Sequence, residues 1–234
     1  MVNQNEHPDW KHHHESVIQC RKCARLVAWR EETAVKKRKA YQSETYWSKP
    51  VPAFGDENAR VLVVGLAPGA HGSNRTGRMF TGDASGDFLY PVLFRAGFAN
   101  QPQATCVEDG LALKDLLISA ICRCAPPDNK PSSQEIQTCL PYLLDEIHLL
   151  KNLQGIVCLG KLAFDQTLRL CLPDASLRKE YIFYHNAYYP AGKLPYWIVA
   201  SYHPSRQNTQ TGRLTEEMFN EVWQQVVLLL AQKS

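Results

Sequence analysis

The sequence predicts an α/β fold, a layered parallel sheet whose strands are joined by helices. Three observations predict it. Four short stretches are apolar, rich in Val and Ile, and continuous rather than alternating, as strands buried on both faces are. Longer stretches with helical periodicity lie between them. Strands alternating with helices require crossover connections, which are right-handed in such sheets. No internal repeat and no long linker interrupts the pattern.

The chain has 234 residues, ample for a substantial core. Residues 1–15 are polar and lack the apolar run of a signal peptide. They are expected to form a solvated tail, with residues 16–234 as one domain. His12, His13 and His14 could hold a stray metal ion, but a solvated tail is the expected state. The predicted strands are Val61–Ala67, Leu116–Cys122, Gly155–Leu159 and Trp197–Ser201. The predicted helices are Asp87–Ala96, Ser133–Leu150, Leu162–Leu170 and about Thr215–Ala231. Ser132 and Glu135 have capping-box spacing at one helix start. Pro141 falls inside that helix and is expected to kink or split it.

Composition restricts function without choosing it. A hydrophobic fraction of 44% and a charged fraction of 21% are ordinary for a globular protein. No run of 18 apolar residues exists, so no membrane span is expected and the protein is read as cytoplasmic. The net charge of +3 does not identify a nucleic-acid binder. Basic residues do cluster in Arg21–Arg38 and His71–Arg78, where they fit either a phosphate-binding patch or a solvated face. Eight cysteines in a reducing compartment point to metal binding or catalysis rather than disulfides.

Loops carry the chemical signal. Three unusual loops follow the first, second and fourth predicted strands, so they converge on the carboxyl edge of the sheet, where open parallel sheets bind ligands. The first, Gly65–Gly86, has six glycines in 22 residues. Gly65, Gly69 and Gly72 would let backbone approach a ligand closely. The loop matches neither a Walker loop nor the spaced dinucleotide-binding pattern. Asp83 is its only carboxylate, and on composition alone a helix N-cap is the commoner role for it. The last loop begins at Ser201. His203 leaves the strand end and is followed by Pro204, a position suited to donating to developing negative charge or simply to capping the strand. Arg206, Gln207, Asn208 and Arg213 could meet phosphates. Cys20 and Cys23 form a C-x2-C pair, and Cys124 and Cys139 complete a set of four thiolates that suits zinc or an iron–sulfur cluster. Cys106, Cys122, Cys158 and Cys171 read mostly as small buried hydrophobes.

The stretch GLAPGAHGSNRTGRMFTGD, the CRKC pair, RCAPPDNKPS with the later QTCLPYL, and HPSRQNTQTGRLT together resemble the iron–sulfur uracil-DNA glycosylases of the B-type, or family 5, branch. The likeness runs from about Cys20 to Val227. It implies a three-layer α/β/α sandwich around a four-stranded parallel sheet. It implies a [4Fe–4S] cluster held by Cys20, Cys23, Cys124 and Cys139, structural in role. It further implies a monofunctional, monomeric DNA repair glycosylase that removes uracil and other deaminated bases, such as hypoxanthine and xanthine, and leaves an abasic site. By the same resemblance Asp83 handles the attacking water and His203 stabilises the departing base. Phe80 stacks on the flipped base, and Asn208 holds the loop or the substrate. Gly65, Ala67, Pro68 and Gly69 line the base site, while Arg75, Arg206 and Gln207 meet DNA.

Three positions depart from related patterns. Ala67 replaces the Asp or Asn of other branches, as the B-type pattern requires. Arg206 replaces the second Pro of the usual His-Pro-Ser-Pro, which makes the loop less rigid and more basic. Ala120 stands where the A-type branch has Asn, which argues against strict uracil specificity. These replacements leave open a non-catalytic, metal-stabilised module recognising damaged or single-stranded DNA, and the Gly-rich loop leaves open, second, a nucleotide hydrolase. The second lacks a carboxylate cluster for Mg²⁺.

Overall fold

The structure is a computed structural model and describes residues 9–232. Residues 1–8 of the expected tail lie outside that range. Among the described residues, six strands form one sheet in the order β1-β3-β2-β4-β6-β5. The four expected strands are its parallel centre: β2 (Val61–Gly65), β3 (Leu116–Ala120), β4 (Gly155–Leu159) and β6 (Trp197–Ser201). Every residue in these four strands is buried. Alternate side chains divide between the two faces. Val61, Val63, Val157 and Val199 join one core, and Leu62, Val64, Ile156 and Ile198 the other.

The expectation of four strands is corrected by two antiparallel edges, β1 (Phe54–Gly55) and β5 (Ala187–Tyr189). Segments of two and three residues are too short to carry a period, so pairing with a neighbour defines them rather than their own composition.

Helices cover both faces, giving three layers. On one side, α4 (Ala84–Arg95) and α8 (Glu216–Ala231) supply Leu89, Leu93, Phe219 and Trp223. On the other, α5 (Ser133–Leu149) and α6 (Lys161–Cys171) supply Ile136, Leu143, Phe164 and Leu168. The Ser132–Glu135 capping box forms as expected. Pro141, however, does not split α5, which runs unbroken from Ser133 to Leu149. Its buried residues flank the proline on both sides, so packing offsets the one lost hydrogen bond.

The expected tail is also corrected from Trp10 onward. Helix α1 (Trp10–Ile18) is capped by Asp9, whose carboxylate accepts from His12 N at 2.8 Å. His13 and Val17 point inward. His13 Nε2 meets Glu146 Oε1 at 3.2 Å, Ser119 Oγ donates to Glu146 Oε2 at 2.6 Å, and Arg123 Nη2 donates to the same oxygen at 2.5 Å. Burial alone would raise the Glu146 carboxyl, but Arg123 and the His13 and Ser119 contacts outweigh it and hold the group below its usual range. A buried carboxylate with a buried cation is costly to disrupt. Glu146→Gln, which keeps the shape and removes the charge, is expected to lower unfolding free energy by about 2 kcal/mol, read as a reduced urea midpoint with unchanged slope.

Candidate functional site

Loops after β2, β3 and β6 close around one cleft of about 840 Å³ at the carboxyl ends of the strands. Gly65, Ala67, Gly69, Phe80, Asp83, Ala120, His203, Arg206 and Gln207 all line it. The register explains the convergence: Gly65 pairs with Ala120, and Leu159 with Ser201, so three strands end at one level.

Asp83 serves as both cap and cleft residue. Its Oδ1 accepts from Ser85 N at 3.0 Å and Gly86 N at 3.2 Å, capping α4. Its Oδ2 faces the glycine turn. A Cβ added at Gly72 would stand 2.0 Å from that oxygen, and one at Gly69 would stand 2.8 Å away. These glycines therefore make room for a carboxylate. Burial raises Asp83 above its ordinary range, and the two capping N–H groups partly oppose that. The positive end of α4 also favours the ionised form.

Phe80 is held in a left-handed backbone conformation, φ 52°. That geometry is uncommon outside glycine and marks a constrained turn. Tyr90 Oη donates to Met79 O at 2.7 Å beside it. The Phe80 ring lies close over Gly65, where a Cβ would come within 3.0 Å, and stacks on His203 with centroids 5.8 Å apart. Burial lowers His203 to about 4, and no carboxylate among the described residues pairs with its ring. The imidazole is consequently neutral at pH 7, able to donate one N–H into the cleft.

Asp83 is ionised only above its raised pKa, and His203 stays neutral down to about 4. On the expectation that Asp83 handles the attacking water, activity is expected to fall with pH through Asp83 protonation, at a pH above the ordinary aspartate value. Single-turnover rates against pH check this. An acid limb at or below the ordinary value would show that the Asp83 site is more solvated than its burial implies.

Several expected site residues lie elsewhere. Pro68 is buried and does not line the cleft. Asn208 braces the final loop, its Nδ2 donating to His203 O at 2.9 Å. Arg75, expected at DNA, is engaged within the protein. It donates to His71 O at 2.8 Å and Gly82 O at 2.9 Å, pairs with Glu44, and stacks over Tyr41. Arg206 and Gln207 do lie exposed at the cleft, on α7 (Arg206–Gln210). Arg38, the end of the basic cluster, also lines the cleft, as do Tyr41, Asp128 and Asn129, which the sequence did not single out. Asp128 and Asn129 both have positive φ, 52° and 55°. The Pro-Pro-Asp-Asn string was their available signal, since Asp and Asn tolerate that conformation best.

The four cysteines of the predicted set line a second, smaller pocket, where Cys20 and Cys23 meet Cys124 and Cys139. Burial raises the Cys23 and Cys124 thiols, while N–H donors reach two of the sulfurs. Arg30 Nη1 donates to Cys124 Sγ at 3.0 Å, and Arg123 N donates to Cys139 Sγ at 3.3 Å. Cys122 packs against Cys139 and donates to it, which together with Arg123 lowers the Cys139 thiol. Among the described residues, no three Cys, His, Asp or Glu side chains stand close enough to share a single metal ion.

Fold and cleft define an open-sheet α/β protein whose ligand site lies outside the carboxyl ends of its strands. The model of the uracil DNA glycosylase superfamily matches residues 52–227, and the chain belongs to that family. It is 51% identical over 211 residues to the type-5 uracil-DNA glycosylase of Thermus thermophilus, a match covering 89% of this chain and 92% of that protein. Identity to the type-5 enzyme of Mycobacterium leprae is 48% over 207 residues, 87% of this chain and 88% of the relative. The type-5 enzyme of Pyrobaculum aerophilum is 41% identical over 206 residues, 88% of this chain and 87% of its own. No described helix is long and apolar enough to cross a membrane.

Proposed function

We propose that this chain is a DNA repair glycosylase that hydrolyses the N-glycosidic bond of uracil in DNA and leaves an abasic site. One observation carries the reading: a half-buried carboxylate and a neutral imidazole share a cleft at the strand ends. The target base leaves the duplex to enter the cleft. Phe80 supplies an apolar face beside it. As the bond to C1′ lengthens, positive character grows on the sugar and negative charge on the base. Asp83 stabilises the first and accepts a proton from the water that attacks C1′. His203 donates its N–H to the second. Arg206 and Gln207 contact the DNA backbone at the rim.

Hypoxanthine and xanthine are proposed as further substrates. Ala67 and Ala120 line the cleft without a polar group to read the base edge. Charge stabilisation then serves purines as well as pyrimidines.

Cys20, Cys23, Cys124 and Cys139 would hold a [4Fe–4S] cluster. Four cysteines lining one pocket, two of whose sulfurs accept N–H hydrogen bonds, support it, and the family resemblance favours the cluster over zinc. When bound, the cluster supplies a rigid crosslink between chain segments. We read the protein as a monomer acting in the reducing cytoplasm, consistent with eight free cysteines.

The test is a panel of oligonucleotides carrying uracil, hypoxanthine or xanthine, scored for alkali-labile sites. Release of uracil is expected. Tight binding without alkali-labile sites in any substrate would overturn the catalytic reading in favour of a binding module.

A further inference from the structure

Arg30, in α2 (Ala24–Lys36), is only 2% exposed yet has no close carboxylate partner. The nearest, Glu31 Oε1, stands 4.0 Å away and already binds Arg21 at 2.5 Å. The guanidinium turns instead to the cysteine pocket. Besides Cys124 Sγ at 3.0 Å, it reaches the Cys20 carbonyl at 3.4 Å, and its Nε is buried without a partner. A buried cation is stable only opposite negative charge, so this one fits a charged sulfur set rather than neutral thiols.

The backbone of the same residue reaches the other site. Arg30 O accepts from Asn74 Nδ2 at 3.3 Å, and that amide also donates to Ala70 O at 3.3 Å. Asn74, in α3 (Ser73–Thr76), is 1% exposed and its N–H bonds to Gly69 O at 3.0 Å. Gly69 and Ala70 line the cleft, and Gly69 lies against the Asp83 carboxylate.

We propose that Arg30 and Asn74 are positioning residues that join the four-cysteine site to the catalytic turn. The Arg30 side chain holds the cysteine end. Its carbonyl, through Asn74, sets where the Gly69–Gly72 turn stands relative to Asp83. The proposal rests on the reading that the cysteines hold an iron–sulfur cluster.

The two residues divide the work, so their variants separate. Wild type, Arg30→Gln, Arg30→Lys and Asn74→Ala are purified anaerobically. Each is measured for iron content, bleaching of visible absorbance under a chelator, reduction potential and single-turnover uracil release. Arg30→Gln is expected to bleach about tenfold faster, because residues around the ligands typically change metal affinity on that scale. Its potential is expected to shift negative, since a positive charge and a hydrogen bond to sulfur favour the reduced cluster. Arg30→Lys keeps the charge without the planar fork and is expected to fall between; it carries the comparison if the Gln variant does not fold. Asn74→Ala is expected to keep wild-type bleaching and potential while releasing uracil about tenfold more slowly. Global destabilisation would instead move all four readouts together. Arginine variants with unshifted bleaching and potential, or Asn74→Ala with an unchanged cleavage rate, would overturn the proposal. Wild type lacking iron would overturn the cluster reading beneath it.

Discussion

Asp83→Asn is expected to lower the single-turnover rate of uracil release by about 10³-fold while DNA affinity changes little. Asparagine makes this a demanding test. It is as good an N-cap as aspartate, so α4 keeps the acceptor for Ser85 N and Gly86 N. Size and position of the side chain are preserved. What disappears is the negative charge and the ability to take a proton from water. Loss of rate with intact folding therefore assigns Asp83 to the chemical step. Fluorescence anisotropy with uracil-containing DNA gives the binding half of the comparison. A near-wild-type rate would remove Asp83 from catalysis and leave it as a cap alone.

Gly72→Ala is expected to reproduce much of that loss without touching the carboxylate, with a decrease of about 10²-fold. Gly72 has φ −98°, so alanine meets no barrier from a left-handed backbone. The obstacle is space. The new methyl would stand 2.0 Å from Asp83 Oδ2 and 2.6 Å from its Cγ. Either the turn or the carboxylate must move, and a catalytic group displaced by about 1 Å loses rate on this scale. Combining Gly72→Ala with Asp83→Asn should cost little beyond Asp83→Asn alone, because both act on one group. Fully additive losses would show that Gly72 matters for another reason. Gly69→Ala, whose methyl meets the same oxygen at 2.8 Å, is expected to have a smaller effect.

The parallel centre of the sheet was legible because strands buried on both faces leave uninterrupted apolar runs. Gly155–Leu159 and Trp197–Ser201 match the expected ranges, while Val61–Ala67 and Leu116–Cys122 each end two residues earlier. Those last residues already belong to the site loops. The N-terminal helix was hidden because its buried residues are only His13 and Val17, and a buried histidine looks like solvated polar sequence until its Glu146 partner is known. Arg75 misled for the converse reason. A basic residue in a glycine loop near DNA has the composition of a phosphate contact, and only geometry shows its donors occupied by His71, Gly82 and Glu44. For Asp83 the cap and site readings were alternatives in sequence. In the fold one oxygen caps α4 and the other faces the glycine turn of the cleft.

The buried contact between His13 and Glu146 has a consequence for biosynthesis. The partners are separated by 133 positions, and Arg30 from Cys124 by 94. During translation the first helices leave the ribosome on the order of ten seconds before their docking surface has been made. Through that interval Cys20 and Cys23 wait without Cys124 and Cys139. On the proposed reading of these cysteines as cluster ligands, the set is complete only after Cys139 emerges, when more than half of the 234 residues have been made.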